Sequence, residues 1–149
     1  MFNYLDFQMN LTYLRLRNSN YAFINQFRME PELNPHFKIG KRFAVNIRNR
    51  VEFRSIEDKG WNNTRYRGRA RISLMLNESG LFKSLFADSE FFYDCVGGRH
   101  TDQWTIPLGL NLSLTDKTFV QLFYMIQQRG GSSNWIYNHI IGSMVTVSL

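Results

Sequence analysis

At 149 residues, with proline and glycine at ordinary levels, the chain is sized for one domain with its own core and is neither fibrous nor disordered. No run approaches the ~20 apolar residues of a membrane helix, and a single cysteine, Cys95, excludes an internal disulfide framework. The formal charge of +6 suits an anionic partner, although arginines placed to neutralise buried carboxylates give the same excess.

Period-two alternation recurs almost throughout, and helical spacing never persists for three turns, so the chain reads as all-β. Strand one sets Leu5, Phe7, Met9, Leu11 and Tyr13 against Asp6, Gln8, Asn10 and Thr12. Strand two carries Tyr21, Phe23, Phe27 and Met29, and breaks at Pro31 and Pro35, which cannot donate to a ladder. Strand three spans about 38–56, with Phe43, Val45, Ile47, Val51 and Phe53 on one face. Its other face carries Arg42, Asn46, Arg48, Arg50, Glu52 and Arg54. The polar segment 57–63 is a loop.

Strand four is a ladder in which Arg65, Arg67, Arg69 and Arg71 alternate with uncharged residues through Leu76. Alternate side chains of a strand point to opposite faces, so one face is a row of guanidinium groups and the other is apolar. Strand five, 85–94, puts Leu85, Ala87, Phe91 and Tyr93 against Asp88, Glu90 and Asp94, and a loop follows at 96–101. Strand six sets Trp104, Ile106, Leu108, Leu110, Leu112 and Leu114 against Gln103, Thr105, Gly109, Asn111 and Ser113, then turns tightly at 115–117. Strand seven opposes Val120, Leu122, Tyr124 and Ile126 to Gln121, Gln127 and Arg129. A glycine-rich loop at 130–134 leads into strand eight, 135–149.

Several strands exceed the common soluble length and fit the ~9–11 residues that cross a bilayer at a tilt. Long polar connections after strands three, five and seven contrast with the tight one after strand six, the asymmetry of a membrane barrel. In such a barrel apolar side chains face lipid and charged ones face the lumen. The expected fold is an antiparallel up-and-down transmembrane-type β-barrel of about eight strands, one domain over 1–149. Trp61, Trp104 and Trp135, with Tyr137, fall near one end of their strands and suit an interfacial girdle.

Two resemblances sharpen this. Strand eight alternates Ile141, Val145, Val147 and Leu149 and resembles the C-terminal signal of bacterial outer-membrane barrels, although that signal ends in an aromatic residue. It implies contact with the barrel-assembly machinery. Arg48-Asn49-Arg50-Val51-Glu52-Phe53-Arg54, Arg65-Tyr66-Arg67-Gly68-Arg69, Glu90-Phe91-Phe92 and Tyr137-Asn138-His139-Ile140-Ile141-Gly142 resemble a domain-of-unknown-function family of outer-membrane β-barrels. That resemblance runs from about Gly40 to the end and implies the outer membrane of a Gram-negative bacterium. Members of that family carry a signal peptide and more chain upstream. No basic segment followed by an apolar one opens this sequence, so it reads as a truncated member, an incomplete barrel lacking N-terminal strands.

The concentrated chemistry is a lumen-facing charge network of Arg48, Arg50, Glu52, Arg54, Arg65, Arg67, Arg69, Arg71, Asp88 and Glu90. With the loop 57–63 setting register, Glu52 is expected opposite Arg67 and Arg50 opposite Arg69. The favoured role is structural or porin-like filling of a small barrel by paired charges. An anion- or acidic-oligosaccharide-selective channel is the alternative, since basic residues exceed acids on these faces. A soluble lipid-binding barrel, with the apolar face inward, is the second.

No catalytic, metal or cofactor site is expected. His36, His100 and His139 lie on separate segments without ligand spacing, His100 sits in a loop beside Asp102, and nothing joins Ser132 or Ser133 to it. Nucleic acid is not expected as a partner, because arginines and aromatics segregate to opposite faces of strand four. The expected partners are the lipid bilayer and anionic solutes.

Overall fold

The computed structural model describes residues 3–17, 23–57, 59–76, 80–130 and 134–148. Eight strands follow in chain order: β1 (Asn3–Arg17), β2 (Phe23–Ile39), β3 (Phe43–Ile56), β4 (Gly60–Met75), β5 (Phe82–Asp94), β6 (Arg99–Ser113), β7 (Thr118–Gly130) and β8 (Trp135–Val147). Each pairs antiparallel with its chain neighbour, so spatial order equals sequence order. The sheet is all-β and up-and-down, and it curls into a half-barrel. Among the described residues the outer edges of β1 and β8 carry no partner strand.

Pro31 and Pro35 do not end β2. Bridging to β3 skips residues 30–31 and 34–35 and resumes in unchanged register, Met29 opposite Phe53 and Glu32 opposite Arg50. Toward β1 the pairing is continuous, with Pro31 opposite Met9 and Pro35 opposite Leu5. A proline costs one ladder bond, and fifteen residue pairs with β1 hold the strand across that gap. Strand three begins only at Phe43, after a turn at 40–42 in which Gly40 has φ 63°. Tyr21, assigned to strand two by its alternation, lies outside the described residues.

The expected contrast of long and short connections is not found. The polar segment 57–63 is mostly strand, because Gly60, at φ 63°, already opens β4. Likewise 95–98 suffices between β5 and β6, while 76–81 joins β4 to β5. The short turn resets the register. Glu52 stands opposite Arg65 and Arg50 opposite Arg67, two residues from the expected pairing, with a bulge between Arg54 and Ile56. A slip of two keeps every side chain on its face, whereas a slip of one would have inverted the strand.

Strand β6 is where alternation misleads. The pairing shifts between Thr105 and Leu108, so Ile106 and Pro107 together oppose Met125. Before this bulge Trp104 and Ile106 share the face of Glu90 and Asp88; after it, Gly109 and Asn111 do. One strand thus exchanges the faces of odd and even residues, as bulges do. Gln103 and Thr105, expected inward, face outward against Ser89, to which Gln103 Nε2 donates at 3.3 Å.

The two faces have opposite chemistry. Buried on the concave side are Gln26, Glu30, Glu32, Glu52, Ser84, Asp88, Glu90 and Gln127, with Phe86, Phe92 and Ile106 as the buried apolar side chains. The convex side exposes Leu5, Phe7, Leu11, Ile72, Leu108, Leu122 and Ile141, the last at 90%. Two glycines serve the concave side by having no side chain: Phe86 lies over Gly109 and Phe123 over Gly142, and a Cβ at either would meet the ring. An aromatic ring covering a cross-strand glycine restores the packing that glycine lacks.

Candidate functional site

Even residues of β2, β3 and β5 and odd residues of β4 meet on the concave wall, because antiparallel pairing places them side by side. Glu52, with none of its side chain exposed, accepts from Arg65 Nε at 2.9 Å and Arg67 Nη1 at 2.9 Å. Arg67 continues to Glu90, 2.8 Å from Nη2, and Glu90 Oε1 also accepts from Arg48 at 2.6 Å. Arg71 binds Asp88 at 2.8 and 2.5 Å. Arg50 pairs with both Glu30, at 3.3 Å, and Glu32. Asn10 and Asn34 also donate to Glu32. Charge-assisted bonds of this kind are the strong ones, and together they fix the guanidinium positions.

Aromatic side chains support the lattice from β5 and β6. The Arg65 and Arg67 guanidinium carbons lie 5.1 and 4.6 Å from the Phe92 ring centroid, and Arg71 lies 4.2 Å from that of Phe86. Arginines and aromatics segregate within β4, as expected, but β5 brings Phe86 and Phe92 to the arginine side. Trp104 belongs here as well. Its ring lies 4.6 Å from Phe92 and 5.9 Å from the Arg67 guanidinium carbon, so it lines the wall and does not join the outward aromatics. Trp61 does face outward, edge-on to Phe27 at 5.7 Å, and Trp135 lies 5.0 Å from His100. Tyr137 is exposed beside them on β8.

Three arginines of the wall have no carboxylate within ion-pair distance among the described residues. Arg28 donates to Gln26 at 2.9 Å and Arg54 to Asn63. Arg69 has neither a hydrogen bond nor an ion pair, and its buried Nε has no acceptor. Its Cα partner on β3 is Arg48, and Arg48 and Arg71 both repel it. Its β5 partner, Glu90, is engaged by Arg48 and Arg67. Arg69, Arg48 and Arg71 line a cleft of about 740 Å³ between β1 and β4.

The histidines stay apart. His36 stacks on Tyr4 at 5.0 Å with Nδ1 3.5 Å from Asp6. His139 Nδ1 lies 2.5 Å from the Tyr124 hydroxyl on the convex face. His100 is the second residue of β6 and not a loop residue, since the turn closes at Gly98. Ser132 and Ser133 lie outside the described residues. No group of three or more His, Cys, Asp or Glu converges as a metal site among those residues. The chemistry the wall offers is fixed charge, with guanidinium groups in excess.

A family profile described as protein of unknown function, DUF2490, matches residues 3–138. The chain belongs to the DUF2490 family. The match takes in β1 and β2, ahead of the segment from Gly40 on which the sequence resemblance rested, and it includes every member of the charge lattice. No curated protein and no solved structure matches the chain.

Sequence reasoning missed Glu30, Glu32 and Arg28, which hold the β2 side of the DUF2490 wall. The signal was present. Met29, Pro31, Leu33 and Pro35 alternate with Arg28, Glu30, Glu32 and Asn34, and reading each proline as one more outward apolar residue recovers the strand. Phe86 and Phe92 were missed for a different reason: their alternation is with other apolar residues, so parity alone shows no contrast.

Proposed function

We propose that this chain is an outer-membrane β-barrel protein of a Gram-negative bacterium, with a structural or porin-like role and no covalent chemistry. The observation that carries the reading is the inverted polarity of the sheet. Charged side chains are buried on the concave face, and large apolar ones are exposed across the convex face. A soluble lipid-binding barrel needs the reverse, with the apolar face turned inward and the charged face in water. In a bilayer the convex face meets acyl chains and the concave face meets water.

Other features support it. The strands run from 13 to 17 residues, beyond the ~9–11 needed to cross a bilayer. No helix is long and apolar enough to cross, which leaves crossing by strands untouched. Polar groups on the convex face find each other: the Tyr66 hydroxyl donates to Asn49 at 2.6 Å, and Ser89 lies 3.4 Å from Thr105. Such lateral pairing is what hydrocarbon demands, because it offers no water to a stranded donor. Trp61, Trp135, Tyr137, Tyr13 and Phe23 crowd one end of the convex face, where amphipathic rings suit a headgroup region. The same constraint requires that the outer edges of β1 and β8 be paired in the membrane, with each other or with further strands. Strand β8 is the segment the barrel-assembly machinery would engage.

The test is dilution of the urea-unfolded chain into phosphatidylcholine vesicles, followed by flotation and protease digestion. A β-rich species that floats and resists protease is expected. A β-rich species that stays in the aqueous fraction with lipid present would count for the soluble reading.

A further inference from the structure

We propose that the cleft between β1 and β4 binds an acidic sugar, or another polyhydroxylated solute bearing one oxyanion, and that Arg69 holds the oxyanion. The proposal rests on the concave face being the watered side, as in the reading above. Every carboxylate of the lattice is already ion-paired with another arginine, so Arg69 feels Asp88 and Glu90 only at a distance and has no ion-pair partner of its own. Arg48 faces it directly across the strand pair, and like charges placed opposite each other are destabilising. A guanidinium held in such a place is completed by an anion from outside. The planar fork of arginine suits a carboxylate or phosphate group, which accepts two parallel N–H bonds.

The rest of the cleft fits the remainder of such a solute. Gln8, Asn10, Thr12 and Asn46 line it with neutral hydrogen-bonding groups, and of its carboxylates Glu30 and Glu32 are held by Arg50 while Asp6 lies beside His36. Asn34 supplies a buried Oδ1 with no donor, while the Nε atoms of Arg48, Arg50 and Arg69 are buried without an acceptor. One orphaned acceptor beside several orphaned donors matches a molecule carrying both hydroxyls and an acid. The volume of about 740 Å³ lies within the ~300–1,000 Å³ common for small-molecule sites.

The experiment titrates D-galacturonate, galactose 1-phosphate and galactose into the full chain refolded in detergent micelles, read by calorimetry. Both acids are expected to bind and galactose is not; the stronger acid identifies carboxylate or phosphate as the group recognised. Arg69→Gln should weaken acid binding about tenfold or more, the loss of one charge-assisted fork. Arg28→Gln, outside the cleft, should leave it unchanged. If Arg69→Gln fails to fold, Arg69→Lys keeps the charge, loses the fork, and should still weaken binding. No heat with folded wild type, or equal affinity in the Arg69 variants, overturns the site. The same preparations are scored for vesicle flotation. Binding without flotation keeps the site and removes the membrane reading; flotation without binding does the opposite.

Discussion

The concave wall changes character between β5 and β6. From β2 to β5 it holds Glu30, Glu32, Glu52, Asp88 and Glu90 among eight arginines. From β6 to β8 the same face is charged only toward the 95–98 turn, at Arg99, Asp102 and Arg129; the rest carries Trp104, Ile106, Gly109, Asn111, Phe123 and Gly142, joined by Asn111 donating to Ser84 at 2.8 Å and Gln121 to Asn111 at 2.8 Å. The charged half is held by ion pairs that reach across three strands, and the neutral half by rings laid over glycines. The concave face is therefore lined unevenly, with one strongly basic half beside one largely neutral half. A cationic surplus confined to one wall attracts an anion to a place, whereas a uniform lining would spread that attraction through the opening.

The two halves should differ most at Glu52. Glu52→Gln leaves Arg65 and Arg67 competing for a neutral amide in a buried place, and an orphaned buried charge costs ~3–5 kcal/mol. Denaturant titration of the micelle-folded chain should read that loss. The matched change on the neutral half, Gln127→Leu, should cost far less; equal costs would mean that the two halves are held alike.

Both halves share one convex face, so the next effect should not distinguish them. Ile72→Arg on β4 and Leu110→Arg on β6 should each cost ~2–4 kcal/mol in folding into vesicles, and Thr118→Arg near the rim should cost little. A penalty confined to one half would show that only that half meets lipid. Within the neutral half, Gly109→Val would force Phe86 off its seat, at ~1–3 kcal/mol. Double-mutant analysis with Phe86→Leu should recover part of that loss, because the smaller side chain makes room.

The smallest change in stability is expected at Arg69. Arg69→Gln removes repulsion from Arg48 and Arg71 and breaks no ion pair, so the unfolding midpoint should stay or rise. Arg67→Gln, two residues away on the same face, should lower it clearly, since Glu52 and Glu90 both lose a donor. If the two variants behaved alike, Arg69 would be part of the lattice.

How much of this was legible follows from what alternation is. The two faces of β1, β3, β4, β5 and β7 were readable because parity is local: each residue's face follows from its neighbour's. That was enough to name most of the charge lattice, Arg48 through Glu90. Parity failed at β6, where the bulge at Ile106 and Pro107 exchanges the faces and carries Trp104 inward, and at β2, where two prolines hid an unbroken strand.

The sequence by itself determined an all-β meander with one charged and one apolar face, because period-two patterning leaves no helical alternative. Only the tertiary structure decided which arginine meets which carboxylate. Those partners lie 13 to 42 residues apart, in a register set by the short connection from Ile56 to Gly60 and the bulge beside it. A two-residue slip is invisible to parity, yet it fixed Glu52 between Arg65 and Arg67 and left Arg69 without a partner.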